Sequence, residues 1–379
     1  MRRPHRCGPP PTRPRRSPAA IDRSRCARSV SSPTAYPACA VSGVCHHRGY
    51  HSSPRPGGHM AQPPGESIAV LDDSSTTRLL QPARNGGRGV PVSEFVSAIS
   101  ELAGRDGSAG WLAAILNAAA NQVAAVGSDV AERVWGRDTA ALVTMATRAD
   151  GRLIRQGPNF RLTGRWNTVT GAAFAHWLLL RADLDGTAHW VLLPRDAVEP
   201  AQRNDIAGLR TTGICDVTVA DTVVDASSVH RCVEENLCAD AEFDVAPRIV
   251  TGAAVAAAVL GAASGIWQAH VDQVRERLAT SYGSEDTAER TASAVAVAET
   301  ASAIDAATLQ LDASLHAQAA PAARAQLQAV ARARDAADRL LSSGNRHALD
   351  ATDPVTRLWL DVSAGYRLAV RILDDPGTG

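Results

Sequence analysis

The 379-residue sequence has no lysine, so all 39 basic side chains are arginine, and 39 acids balance them to a formal charge of zero. An all-arginine cation set is the usage of a GC-rich genome. No Cys-x-x-Cys pair occurs among Cys7, Cys26, Cys39, Cys45, Cys215, Cys232 and Cys238. Their spacing supports neither a zinc site nor a disulfide framework, and a reduced, cytoplasmic protein is expected. No uninterrupted apolar run reaches the roughly 18 residues that a spanning helix needs. The nearest, Ile249 to Trp267, is almost all Ala, Val and Gly, which reads as a helix buried in a bundle, and no membrane segment is expected. No Gly-rich phosphate fingerprint follows a strand, and the Gly86-Gly87 pair and the glycines between Gly104 and Gly110 lack its spacing, so no classical Rossmann site is expected. No internal repeat is present.

Charge is unevenly distributed. Residues 1–59 hold eleven arginines against one acid, Asp22, which leaves the remainder acidic. A basic, Pro-rich head could serve as a nucleic-acid arm or a transit peptide. It has neither an amphipathic period, a signal-peptide core nor aromatic interleaving, so we read it as a disordered segment with Met60 as the functional start, and expect no nucleic-acid partner.

The remainder has three textures. Phe95, Val96, Ile99 and Leu102 fall at helical spacing, and a second apolar helix follows the Asp-Gly-Ser turn from about Ala109. From about Leu142 to Val224 the period shortens to β-type runs separated by Gly, Pro and Asp, which predicts an antiparallel β-domain. After Pro247 an Ala-rich helical texture returns, with a last helix predicted over Pro354 to Leu373. The fold class expected is α+β, with a shortened N-terminal helical domain (60–138), a middle antiparallel β-domain (139–235) and a C-terminal helical bundle (236–379).

Four segments in these zones resemble the acyl-CoA dehydrogenase-like superfamily. Arg105-Asp106-Gly107-Ser108-Ala109-Gly110-Trp111 is similar to its helix junction. Gly157 to Trp166 (GPNFRLTGRW) resembles the segment that enters its β-domain. Gly208-Leu209-Arg210-Thr211-Thr212-Gly213 with Asp216-Val217 resembles the turn before its last strands, and Asp353 to Val362 (DPVTRLWLDV) its C-terminal helix. The GRW and GLRTTG segments are most like the two-component, reduced-flavin-dependent monooxygenase branch. The resemblance implies the acyl-CoA dehydrogenase-like fold, FAD or FMN as cofactor, a small-molecule substrate, and a homo-oligomer, homotetramer or dimer. For the monooxygenase branch it also implies a separate flavin reductase.

By this resemblance Trp166, Thr168, Val169, Thr170 and Gly171 form the flavin-facing loop. A flat ring with hydrogen-bonding edges needs an apolar wall and several donors. Trp166 alone is more readily a core residue, and the threonines ordinary strand residues. Arg210, Thr211 and Thr212 are the phosphate candidates, since a guanidinium beside hydroxyls suits phosphate. The Arg expected near Tyr282-Gly283 is displaced to Arg275 or Arg277.

Departures bear on the reaction. A dehydrogenase of this fold needs a carboxylate base, and Glu234, Glu235, Glu299 and Asp361 all read as solvated charges. The hydroxylase branch carries a C-terminal His where this chain has Leu368, and a second His that Ala118 to Asn121 lacks. His176 and His189 read as ordinary strand histidines, leaving His347 as the catalytic candidate. Three readings follow: a two-component monooxygenase acting on an aromatic or polyketide-like molecule, an acyl-CoA dehydrogenase, and a non-catalytic relative acting as a subunit or binding module.

Overall fold

The computed structural model describes residues 71, 76–203, 205–232, 243–280, 287–343, 350 and 352–374. All of them lie in the second of two units, which spans residues 59–379. The Arg/Pro-rich head, Tyr282-Gly283, Glu234, Glu235 and His347 fall outside the described residues.

Among the described residues, three α-helices precede the sheet: α1 (Val92–Arg105), α2 (Gly107–Val126) and α3 (Ser128–Trp135). Asp106 breaks α1 from α2. Its backbone is extended, and its side chain accepts from the Ala109 N–H, capping the start of α2. α1 is amphipathic and buries Phe95, Val96, Ile99 and Leu102. By contrast, α2 is buried on nearly every side, because it runs through the middle of the fold between the sheet and the C-terminal helices.

The sheet follows, with strands β1 (Val143–Gln156), β2 (Asn159–Val169), β3 (Trp177–Leu184), β4 (Thr187–Pro194), β5 (Glu199–Gln202), β6 (Cys215–Val224) and β7 (Val229–Arg231). Among the described residues it has seven strands, in the order β5-β6-β2-β1-β3-β4-β7. It is mixed rather than antiparallel throughout: β1 and β3 pair in parallel, Val143 opposite Trp177. The β1–β2 hairpin takes one edge of β1. The segment after β2 then returns to the beginning of β1, so β3 enters the other edge in the same direction. The β3–β4 hairpin turns through Asp185-Gly186, both in the left-handed region, a two-residue turn whose twist matches the flanking strands.

The C-terminal helices are α4 (Pro247–Thr280), α5 (Thr287–Ser314), α6 (Ala319–Ser343) and α7 (Pro354–Leu373). Asp353 caps α7 through the Val355 and Thr356 amides, and Pro354 occupies its first turn, where no N–H is needed. α1 and α4 lie in backbone contact: a Cβ on Gly261 would fall 2.2 Å from the Ser100 carbonyl oxygen, and one on Gly265 2.2 Å from that of Gly104. α2 and the segment Pro247–Arg277 are each long and apolar enough to cross a membrane. Their apolar windows are 83% and 89% buried inside the protein, which makes them core helices. One apolar cluster joins α1–α7 to the inner face of the sheet, and a second, around Leu162, Trp166, Leu180 and Val217, fills its other side.

Candidate active site

The end of β2 is irregular where it meets the helices. Trp166 pairs with Val217 and Val169 with Cys215, so three steps on β2 face two on β6 and Thr168 is the extra residue of a bulge. Thr168 takes φ 59°, a cost for a β-branched residue that its surroundings must offset. Asp216 does so. Its carboxylate accepts from the Thr168 N–H at 3.0 Å and is itself paired with Arg165 at 3.3 Å and Arg203 at 3.5 Å.

The bulge borders an open cleft. Asn167, Thr168, Val169 and Thr170 form one side. Trp111 and Ile115 of α2, Met145 of β1, and Leu368, Arg371 and Ile372 of α7 form the others, with Arg148 and Asp150 at the rim. Thr147, Thr251 and Ile372 are shared with a second space, so the two adjoin. The second space lies between α2, the strands β1, β3 and β4, the start of α4, α6 and the end of α7. Ala125, Val126, Ile249 and Leu373 line it together with the polar Gln122, Arg181 and Gln326. Arg181 is 8% exposed, donates to the Thr147 carbonyl at 3.2 Å and stacks over Trp190 at 6.0 Å.

Of the expected flavin loop, Thr168, Val169 and Thr170 all face the cleft. Thr170 is 5% exposed. Its hydroxyl accepts from the Trp111 indole N–H at 3.1 Å, and its carbonyl accepts from the Thr144 hydroxyl at 2.5 Å. Trp166 borders the cleft but is chiefly a core residue, 1% exposed, with its indole N–H donating to the Arg181 carbonyl at 2.9 Å. Its ring covers Gly151 and Gly164, where a Cβ would come within 2.3 and 2.6 Å. Gly171 does not line the cleft. Its left-handed backbone, φ 74°, brings it against α2, where a Cβ would sit 3.1 Å from Leu112 and 3.2 Å from Leu116. The glycine is required by the helix behind it, and it is not among the residues that line the cleft.

Arg210, Thr211 and Thr212 also lie away from the cleft. Arg210 is exposed, whereas Thr211 and Thr212 are buried. The Thr212 hydroxyl donates to the Leu209 carbonyl at 2.7 Å, and its own carbonyl accepts from the Gly171 N–H at 2.9 Å. These groups shape the turn and tie it to the loop after β2. His176 accepts from the Leu142 N–H through Nδ1, and His189 Nδ1 lies 2.9 Å from the Thr187 carbonyl; neither reaches the cleft.

Asp361 overturns a second expectation. It is no solvated charge on a helix face. Although the residue keeps intermediate exposure overall, its carboxylate is enclosed: Oδ1 accepts from the Leu209 N–H at 2.5 Å and lies 3.5 Å from the Ser108 hydroxyl. Burial is the largest influence and pushes its pKa up to about 7; nearby Asp106 adds to the rise, while the Leu209 hydrogen bond and Arg357 oppose it. One carboxyl thus joins the start of α2, the GLRTTG turn and α7. Glu299 does fit the helix-face reading, with Arg339 3.6 Å away.

Sequence reasoning missed Trp111, Arg148 and Arg371 as lining residues. Trp111 stood inside the junction motif but was read only as part of a turn between helices. Arg371 lies one helical turn beyond Leu368, which could have marked it.

This architecture has known counterparts. The acyl-CoA dehydrogenase C-terminal domain family matches residues 253–370. The solved butyryl-CoA dehydrogenase of Megasphaera elsdenii shares the fold, with a TM-score of 0.67 at 14% identity, covering 81% of this chain and 88% of that one. The chain therefore has the acyl-CoA dehydrogenase-like fold, and its C-terminal helices match that family's domain. Within that class its sequence is similar to the HsaA oxygenase subunit of a flavin-dependent monooxygenase from Rhodococcus jostii, 28% identical over 345 residues and covering 83% of this chain and 88% of that one. It is likewise 28% identical to the oxygenase component of an FADH2-dependent resorcinol hydroxylase from a Rhizobium species, covering 87% and 89%. The crystal structure of 3-HSA hydroxylase from Rhodococcus sp. RHA1 superposes with a TM-score of 0.74 at 26% identity, covering 82% and 86%.

Proposed function

We infer that this chain is the oxygenase component of a two-component flavin monooxygenase, which receives reduced FAD or FMN from a separate reductase and hydroxylates an aromatic or polyketide-like small molecule. The observation that carries this reading is the adjoining pair of spaces, one bounded by the β2 bulge and one by α2, α4 and α6. Oxygenase relatives over more than four-fifths of the chain support it.

The residues present fit a flavin. Trp111, Ile115, Met145 and Leu368 offer apolar walls, the bulge at Asn167 to Thr170 presents backbone and hydroxyl groups at an edge, and Arg148 and Arg371 place positive charge at the mouth, suited to an anionic reduced ring. Reduced flavin, when bound, supplies the two electrons with which O2 gives one oxygen atom to the substrate and one to water. The chain binds, orients and excludes solvent. Asp216 holds the bulge in shape, Thr168 engages Arg371 at 3.5 Å, and apolar residues of α2 and α7 keep water from the reacting face. The adjoining space would take the substrate, with Gln122, Arg181, Arg231, Arg248 and Gln326 among its polar groups and Ala125, Val126, Ile249 and Leu373 among its apolar ones.

A monooxygenase reading is also favoured over a dehydrogenase by the carboxylates. Among the described residues lining the two spaces, the only one is Asp150, exposed and 3.6 Å from Arg148. We further propose a cytoplasmic homo-oligomer, dimer or tetramer, with the exposed Val295 and Leu309 of α5 in a subunit contact. The reaction is tested by supplying flavin through a reductase and NADH under 18O2 with a panel of phenols. One labelled atom per product molecule is expected; oxidation of an acyl thioester without label uptake would contradict the proposal.

A further inference from the structure

We propose that Trp111 is a positioning residue that fixes the Thr170 hydroxyl as a hydrogen-bond donor to the flavin. The inference rests on the reading that flavin occupies the cleft beside the β2 bulge. It starts from the polarity of the groups. An indole N–H can only donate, so the 3.1 Å contact from Trp111 Nε1 occupies a lone pair of Thr170 Oγ1. The hydroxyl proton must then point elsewhere. Among the described residues nothing accepts it, although the side chain is 5% exposed and a buried O–H without an acceptor is costly. Both residues line the cleft, and an acceptor atom at the edge of a bound flavin ring would satisfy that proton.

The pair is held from every side. Trp111 is 1% exposed, and Gly365 of α7 lies beneath its ring, where a Cβ would be 3.4 Å from Cε3. The Thr144 hydroxyl grips the Thr170 carbonyl at 2.5 Å, so backbone and hydroxyl are both fixed before any ligand arrives. Such preorganisation favours a ligand with an acceptor at that point, because no rotor must be ordered on binding. Without the indole N–H, the hydroxyl could rotate and present a lone pair instead.

The test is a double-mutant cycle on flavin affinity, measured anaerobically with reduced FAD and reduced FMN, with thermal midpoints recorded in parallel. Trp111→Phe keeps the ring and removes the N–H; Thr170→Val keeps the shape and removes the hydroxyl. Each should weaken binding roughly 5- to 10-fold, the size of one hydrogen bond. The double variant should bind no worse than Thr170→Val alone, and Thr170→Ser should stay within about twofold of the unmodified chain. Losses that multiply in the double variant, or unchanged binding by Trp111→Phe, would overturn the proposal. Absence of flavin binding by the unmodified chain would instead overturn the site reading on which it rests.

Discussion

Replacing Asp361 by Asn should change how the stability of this protein depends on pH. In the folded chain the carboxyl lies against the Leu209 N–H, the Ser108 hydroxyl and Gly107, where a Cβ would sit 2.7 Å from Oδ2. Its pKa rises to about 7 from the ordinary value of 3.8. A folded pKa above the unfolded one means that the native state binds the proton more tightly. The stabilisation is therefore complete below about pH 4 and is lost as pH rises towards about 7. Three pKa units correspond to about 4 kcal/mol, an upper figure for one group. Asn keeps an oxygen for the Leu209 amide and cannot ionise. The difference in unfolding free energy, unmodified chain minus Asp361→Asn, should thus fall between pH 5 and pH 8, with the variant matching or exceeding the parent at pH 8. Urea unfolding at both values measures it. A difference that is constant with pH, or larger at pH 8, would show that the carboxylate is held ionised and refute the reasoning.

Other substitutions probe the packing and the cleft. Gly265→Val should cost about 1–3 kcal/mol or more, because its Cβ would overlap the Gly104 carbonyl; even Ala, with its helix propensity gain of about 1 kcal/mol, should destabilise. Unaltered urea midpoints would argue against backbone contact between α1 and α4. Gly171→Ala should lower the thermal midpoint through its left-handed φ and its crowding on Leu112 and Leu116, a cost of about 1–3 kcal/mol. A neutral result would return Gly171 to a role outside the core. Leu368→Trp, at a partly exposed position on the cleft wall, should weaken flavin binding at least about tenfold with little change in melting; retained affinity would place the flavin elsewhere.

What the sequence disclosed follows how local each determinant is. The Asp353-Pro354 start of α7, the Asp106 cap and the Asp185-Gly186 turn are written in neighbouring residues, and the helix–strand–helix order is written in periodicity. The parallel β1–β3 pair was not legible, since it depends on which edge of β1 remains open after β2 has paired. The short edge strands β5 and β7 carry too few residues to show alternation. Asp361 looked like any charge within LDV because the turn it binds lies about 150 residues away in sequence. Gly171 was legible as a glycine of the loop, whereas Leu112 and Leu116, which crowd it, lie on another element. Thr168 and Thr170 were legible as a loop, but the indole that orients Thr170 was not, because Trp111 lies on another element and only tertiary packing joins them.

The central claim is that the cleft beside the β2 bulge accepts flavin in its reduced state. Titration of the 60–379 chain with oxidised and with anaerobically reduced FAD and FMN tests it most directly. The account predicts tighter binding of the reduced form, lost in Leu368→Trp. Retention of oxidised FAD with no preference for the reduced form would point to a dehydrogenase, and no binding in either state would contradict the claim.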